Sequence, residues 1–219
     1  MERLFIPAKS TRSILPVLEK VKIDGRIGLI STAQYADQLS KAQTLLGKSM
    51  IGGQILGCDA SAARRIADKV DVFLYIGEGK FHPIAVALAV SKPVYIADPL
   101  LGEVRLLSED EIKKYLKHQK SALMHFYRAQ RVGVLISLKP GQYHPKQYLA
   151  LQGKFKMFEA LKHKFKDKQF YTLLFDTLSF NELENFPPIE CFVNTACPRL
   201  MDDYKKFNKP VVNFEDVIR

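Results

Sequence analysis

The chain reads as an α/β protein built from two similar parallel-sheet domains joined by a connecting helix. Short apolar runs alternate with amphipathic stretches along its length, the pattern of parallel βα units. Those runs are apolar at nearly every position, as strands buried on both faces must be. The second half also repeats the first in order. RVGVLIS (131–137) echoes RIGLIS (26–31), ECFVNTA (190–196) echoes DVFLYIG (71–77), and KPVVNFED (209–216) echoes KPVYIAD (92–98).

In chain order, RIGLIS is the first strand, AQYADQLSKAQTLLG (33–47) an amphipathic helix closed by a glycine, and GGQILG (52–57) a second strand. SAARRIADKV (61–70) is a helix with Ser61 as its cap, followed by the strand DVFLYIG, the buried helix HPIAVALAV (82–90) and the strand KPVYIAD. SEDEIKKYLKHQKSALMHFYRAQR (108–131) is the connecting helix, opened by a capping box of Ser108 and Glu111. The domains are therefore expected at 1–107 and 108–219, with the boundary between residues 105 and 125. In the second domain a strand RVGVLIS, a lysine-rich helical stretch, a strand ECFVNTA and a strand in KPVVNFED follow.

The 219 residues hold enough apolar content for real cores, and no apolar run is long enough to span a bilayer. The start, MERLFIPAKSTRSIL, lacks a signal-like core and cleavage site. Three cysteines, few and odd in number, argue against a disulfide scaffold and for a reducing, cytoplasmic setting. The formal net charge of +10 favours an acidic partner: nucleic acid, an anionic protein face or a charged small molecule. Lys154, Lys156, Lys162, Lys164, Lys166 and Lys168 crowd one segment, which reads first as a solvated helix face. No aromatic-interleaved RNA-binding signature accompanies them, so nucleic acid is not favoured.

Cys58 and Cys197 stand just beyond apolar runs, in ILGCDAS and FVNTACPRL, at the rim where open α/β sheets bind ligands. They could meet on one metal centre, or be small buried hydrophobes as most cysteines are. Cys191 lies six residues before Cys197; if that run is extended, the two backbones are about 20 Å apart, which assigns Cys191 to core packing. In IGEGKFHP (76–83), Gly77 and Gly79 could bring backbone N–H groups to an anion, and His82 could be base, ligand, donor or simply structural. In SLKPGQYHP (137–145), the Pro-Gly turn exposes Lys139 and Gln142, either as ligand contacts or as turn decoration. Pro198 starts a helix whose first turn carries Arg199, placing positive charge beside the thiol, the setting that favours a thiolate. No Walker loop, GxGxxG fingerprint, GxSxG elbow, HExxH motif, kinase set or Cys/His zinc quartet is present.

Taken together, GGQILGCDAS, VDVFLYIGEGKFHPIAVALAVSKPVYIADP, LKPGQ and CFVNTACPRLMDDYKKFNKPV resemble the diphthamide-synthesis family, the 2-(3-amino-3-carboxypropyl)histidine synthases, over nearly the whole chain. The resemblance implies three related α/β domains, each giving one cysteine to a 4Fe–4S cluster, with S-adenosyl-L-methionine at the fourth iron. It implies cleavage of the sulfur–Cγ bond and transfer of a 3-amino-3-carboxypropyl group to a histidine of translation elongation factor 2, releasing methylthioadenosine. It assigns Cys58 and Cys197 as iron ligands and makes Gly77, Gly79, His82, Lys139, Gln142 and Arg199 cofactor-lining residues. The match begins at the family's second domain, so two of the three cysteines are expected here and a third ligand from elsewhere. A homodimer, or a heterodimer with a related chain, is the expected assembly. Two rival expectations are a non-catalytic accessory subunit and the same chemistry on another acceptor such as tRNA. A third is an adenosine-type binding protein without a cluster.

Overall fold

The computed structural model describes Leu4, Ile6 and residues 8–139, 150–201 and 208–218. It divides into two compact units, Met1–Lys113 and Lys114–Arg219. Unit 1 runs α1 (Leu15–Leu18), β1 (Ile27–Ser31), α2 (Leu39–Leu46), β2 (Ser49–Gln54), α3 (Ser61–Arg64), β3 (Val72–Ile76), α4 (Phe81–Val90), β4 (Val94–Asp98) and β5 (Glu103–Leu106). Then α5 (Glu109–Arg128) leads into β6 (Arg131–Ser137), α6 (Ala150–Lys164), β7 (Gln169–Phe175), β8 (Cys191–Asn194), β9 (Val211–Asn213) and α7 (Phe214–Ile218). Among the described residues no helix is long and apolar enough to cross a membrane.

Both sheets use one plan. Unit 1 has the order β2-β1-β3-β4-β5 and unit 2 the order β7-β6-β8-β9. Within them β1 to β4 and β6 to β9 are parallel, while β5 adds an antiparallel edge to β4. The echoed strands thus occupy matching places, and their details match too. Arg26 and Arg131 each donate to a carboxylate that opens the third strand of their unit, Asp71 and Glu190. Gly28 pairs in register with Phe73, and Gly133 with Phe192. Phe73 and Phe192 each donate a backbone N–H to a proline carbonyl at 2.9 Å, from Pro93 and Pro210 respectively.

The cores sit on the sheet faces. Ile27 and Leu29 pack with Leu18, Tyr35, Leu39, Leu74 and Ile76 in unit 1. In unit 2, Val132 and Val134 pack with Phe126, Leu161 and Val193. The Ser108–Glu111 capping box forms: Glu111 N–H reaches Ser108 Oγ at 3.3 Å, and Ser108 N–H reaches Glu111 Oε2 at 3.2 Å.

Several local expectations are corrected. The segment 33–47 is not one helix: Ala33–Gln38 winds as a tighter 3-10 helix before α2, which buries Tyr35 to 3 % exposure. Ala60, not Ser61, caps α3; the Ser61 N–H is taken by Asp59 Oδ1 at 2.8 Å. The second strand is Ser49–Gln54 rather than 52–57, because Leu56 and Asp59 pair with each other instead of with β1. The strand in KPVVNFED stops at Asn213, and FED already belongs to α7. β5 and β7 were not expected at all. The lysine run is only partly a solvated face. Lys168 Nζ, with its side chain 2 % exposed, donates to the carbonyls of Tyr127 (2.9 Å) and Ala129 (2.6 Å). Lys164 Nζ likewise holds the carbonyls of Val217 and Ile218. Both ammonium groups satisfy carbonyls at helix ends, where positive charge is favoured.

Candidate functional site

The candidate residues of unit 1 gather at the carboxyl ends of its parallel strands. Cys58 lies on a tight turn after β2, closed by reciprocal backbone hydrogen bonds between Leu56 and Asp59 at 3.0 and 3.1 Å, and its side chain is exposed. The turn leans on the segment after β3. A Cβ on Gly57 would fall 1.7 Å from a ring carbon of Phe81, so only a glycine lets the two loops touch. The cysteine loop and the glycine loop are therefore neighbours.

Within the glycine loop, Gly77 is buried and its N–H donates to the Ala97 carbonyl at 3.1 Å, so that donor is committed to the sheet. A Cβ there would come within 2.6 Å of the Tyr75 hydroxyl. Gly79 has φ +70°, the left-handed region that favours glycine. His82 stacks on Tyr75, with ring centroids 5.9 Å apart, and its Nδ1 lies 3.4 Å from the Tyr75 hydroxyl. That hydroxyl also donates to the Glu78 carbonyl at 3.2 Å. Across the loop, the Tyr35 hydroxyl donates to Glu78 Oε1 at 3.1 Å. Burial, together with the neighbouring carboxylate, raises the Tyr35 pKa above its ordinary value despite the opposing hydroxyl of Ser10.

In unit 2 the loop carrying Cys197 is bolted down by buried amides. Asn194 Nδ2 donates to the Cys197 carbonyl and to Asn213 Oδ1, both at 2.8 Å, while Asn194 Oδ1 accepts the Ala196 N–H at 2.9 Å. Asn213 Nδ2 reaches the Pro198 carbonyl at 3.3 Å, and Thr195 Oγ1 donates to the Leu135 carbonyl at 2.8 Å. The Cys197 side chain is left exposed on this framework, and Arg199 is exposed in the short 3-10 turn behind it. Because β8 ends at Asn194, the run from Cys191 to Cys197 is not one extended strand, and the 20 Å spacing expected for it does not apply. Cys191 is nonetheless core: it is fully buried, and burial pushes its thiol up to about 12. Lys139 follows β6 at the same rim, its N–H held by Ser137 Oγ at 3.2 Å. Gln142 lies outside the described residues.

Tyr35, Glu78, Tyr75, Asn194 and Asn213 were not singled out from sequence. A polar residue closing an apolar strand, as in FVN and VVN, was the available signal for the two asparagines. Tyr35 carried none, because its partner is 43 positions away. Among the described residues no group of three or more His, Cys, Asp or Glu side chains is placed to hold a metal ion. What each unit offers is one exposed thiol on a firmly held rim loop, the donor type that iron–sulfur clusters take.

A 2-(3-amino-3-carboxypropyl)histidine synthase of Pyrococcus horikoshii is 28 % identical over 98 % of the chain. The synthase of Methanocaldococcus jannaschii is 30 % identical over 99 % of the chain, and the human synthase subunit 1 is 28 % identical over 93 %. The chain spans 64 %, 61 % and 45 % of those three proteins. The crystal structure of Dph2 from Pyrococcus horikoshii with a 4Fe–4S cluster superposes with a TM-score of 0.78 at 25 % identity, covering 95 % of this chain and 62 % of that one. The family model for diphthamide synthesis proteins matches residues 1–217, and this chain belongs to that family.

Proposed function

We propose that the chain acts in the first step of diphthamide biosynthesis: iron–sulfur, S-adenosyl-L-methionine-dependent transfer of a 3-amino-3-carboxypropyl group to a histidine of translation elongation factor 2, in the cytoplasm. The carrying observation is the pair of exposed thiols, Cys58 and Cys197, each on a rim loop held by its own hydrogen bonds, in a chain whose fold is that of a 4Fe–4S protein. Cys58 and Cys197 would hold iron. When bound, the cluster would supply an electron and an open iron position to the sulfonium substrate. Lys139 and Arg199 would meet the methionine carboxylate, and Gly79, His82 and Gln142 would line the cofactor beside Gly77.

Two thiols are one fewer than the three that the resemblance implies, and among the described residues no group of three or more His, Cys, Asp or Glu side chains is placed to hold a metal ion. That observation favours a second reading, in which the chain works with a related chain, as homodimer or heterodimer, or serves it as an accessory subunit. Anaerobic reconstitution separates the readings. Bound iron and sulfide in the lone chain, lost in both Cys58→Ala and Cys197→Ala, supports the first; iron retained only with a co-purified relative supports the second. A chain that takes up no iron in either setting ends both. Release of labelled methylthioadenosine with elongation factor 2, and not with bulk tRNA, identifies the acceptor.

A further inference from the structure

The sheets end on unlike edge strands. β5 is short and carries Glu103 and Arg105, while β2 carries Gly52 and Gly53 and slips its register against β1. Charges, short length and bulges of this kind keep a sheet edge from pairing further. β9 is three residues long and buried throughout. β7 has none of these guards. Its sequence QFYTLLF holds no charge, proline or glycine, and its register with β6 is unbroken from Gln169 to Phe175.

The ladder fixes which way the backbone of β7 points. At one end the Gln169 N–H donates to the Gln130 carbonyl at 2.8 Å, and at the other the Phe175 carbonyl accepts the Leu138 N–H at 2.7 Å. A strand residue turns its N–H and C=O to one side, and the side alternates along the chain. Gln169, Tyr171, Leu173 and Phe175 therefore bond to β6, while Phe170, Thr172 and Leu174 present their groups at the outer edge. Among the described residues no strand pairs with β7 on that side. The outward set is symmetric about Thr172, so the same strand reversed is its complement.

The side chains agree with that symmetry. Tyr171 is 44 % and Leu174 54 % exposed. With Thr172 set opposite its own counterpart, Leu174 falls across from Phe170 and Tyr171 from Leu173, apolar against apolar at each pair. No charge meets a like charge within the strand pair, which matters for chains that each carry a formal +10. An unrelated strand would satisfy the backbone groups alone; a second β7 satisfies the side chains as well.

We propose that β7 pairs antiparallel with β7 of a second copy of this chain, about a twofold axis at Thr172, so that the two unit 2 sheets run on as one. Thr172 exchanges both backbone hydrogen bonds with its counterpart, and Phe170 does so with Leu174 on either side of the axis. This gives the homodimer of the second reading above a contact surface, yet it stands on the fold of unit 2 alone, with or without iron.

Sedimentation equilibrium on the full chain over a concentration series tests it, beside thermal melts. The wild type should show a monomer–dimer equilibrium. Thr172→Pro removes only an outward N–H, so the β6 ladder survives while the central pair is lost. Leu174→Lys places a charge at the edge. Each should raise the dimer dissociation constant at least about tenfold, the loss expected when two hydrogen bonds go. Should Thr172→Pro fail to fold, Leu174→Lys carries the comparison. In a Cys58→Ser/Cys197→Ser background, a short bis-maleimide should join copies carrying Thr172→Cys and leave copies carrying Leu106→Cys, on β5, unjoined. A chain that stays monomeric, a dimer that folded variants leave undiminished, or cross-linking at Leu106→Cys but not at Thr172→Cys overturns the proposal. Iron and sulfide content is read separately, so a dimer that takes up no iron overturns the transferase reading alone.

Discussion

Phe73 lies against Gly28 across the β1–β3 pair so closely that a Cβ on the glycine would fall 2.7 Å from two carbons of its ring. Gly133 and Phe192 repeat the relationship in unit 2, at 2.6 Å. Both rings are fully buried, so neither can swing aside into solvent. Gly28→Ala and Gly133→Ala should each destabilise by roughly 1–3 kcal/mol through overpacking. Denaturant unfolding checks this, and shortening the partner in Gly28→Ala/Phe73→Leu should cost less than the sum of the single changes.

The two Arg–carboxylate clips predict an acid-side signature. The Arg26 guanidinium, then its N–H, hold Asp71 below its ordinary value of 3.8. The N–H groups of Arg131 and Gln130, with the Arg131 guanidinium, hold Glu190 below 4.5. A depressed folded-state pKa contributes stability that is present above the ordinary value and lost as pH falls through the depressed one. Thermal melts from pH 6 down to about 2 should therefore show a shallower acid loss in Asp71→Asn/Glu190→Gln than in the wild type. Both carboxylates are solvent-exposed, so the difference should shrink further in high salt.

Cys191 provides the opposite sign. Its thiol rises from 9.0 to about 12 on burial, so folding favours the protonated form. That contribution is complete below the ordinary thiol value and is lost as pH climbs from there through the raised one. Val72 occupies the matching position in unit 1, which makes Cys191→Val the natural substitution. The variant should change stability at neutral pH by less than about 1.5 kcal/mol and flatten the alkaline limb. In the native wild type, a thiol reagent should modify Cys58 and Cys197 and spare Cys191 until unfolding.

Lys168 caps the carboxyl end of α5 from inside the fold, with its ammonium 5.5 Å from the Phe126 ring centroid. Lys168→Met keeps most of the stem but leaves the carbonyls of Tyr127 and Ala129 without this donor. A loss of about 2–4 kcal/mol is expected in chemical denaturation, since each buried carbonyl left unpaired costs roughly 1–3 kcal/mol.

Much of this architecture was legible in the order of the residues. Parallel strands buried on both faces must be apolar throughout, so RIGLIS, DVFLYIG, RVGVLIS and ECFVNTA stand out from their surroundings. Their repetition was visible because matching places in two sheets demand matching residues, glycine against phenylalanine and arginine against carboxylate. Two of the edge strands, β5 and β7, were not legible. β7 exposes Tyr171 and Leu174, and β5 is four residues of mixed character paired to β4 alone, so burial leaves little mark on either composition. The two rim cysteines could be named from the runs that precede them. That Gly57 seats the Cys58 loop on Phe81, that Asn194 and Asn213 anchor the Cys197 loop, and that Tyr35 holds Glu78 depended on packing between segments 19 to 43 positions apart. Local pattern records which face of a strand is dry; it carries no record of which distant side chain completes a hydrogen bond, because that is set only when the strands take their places in the sheet.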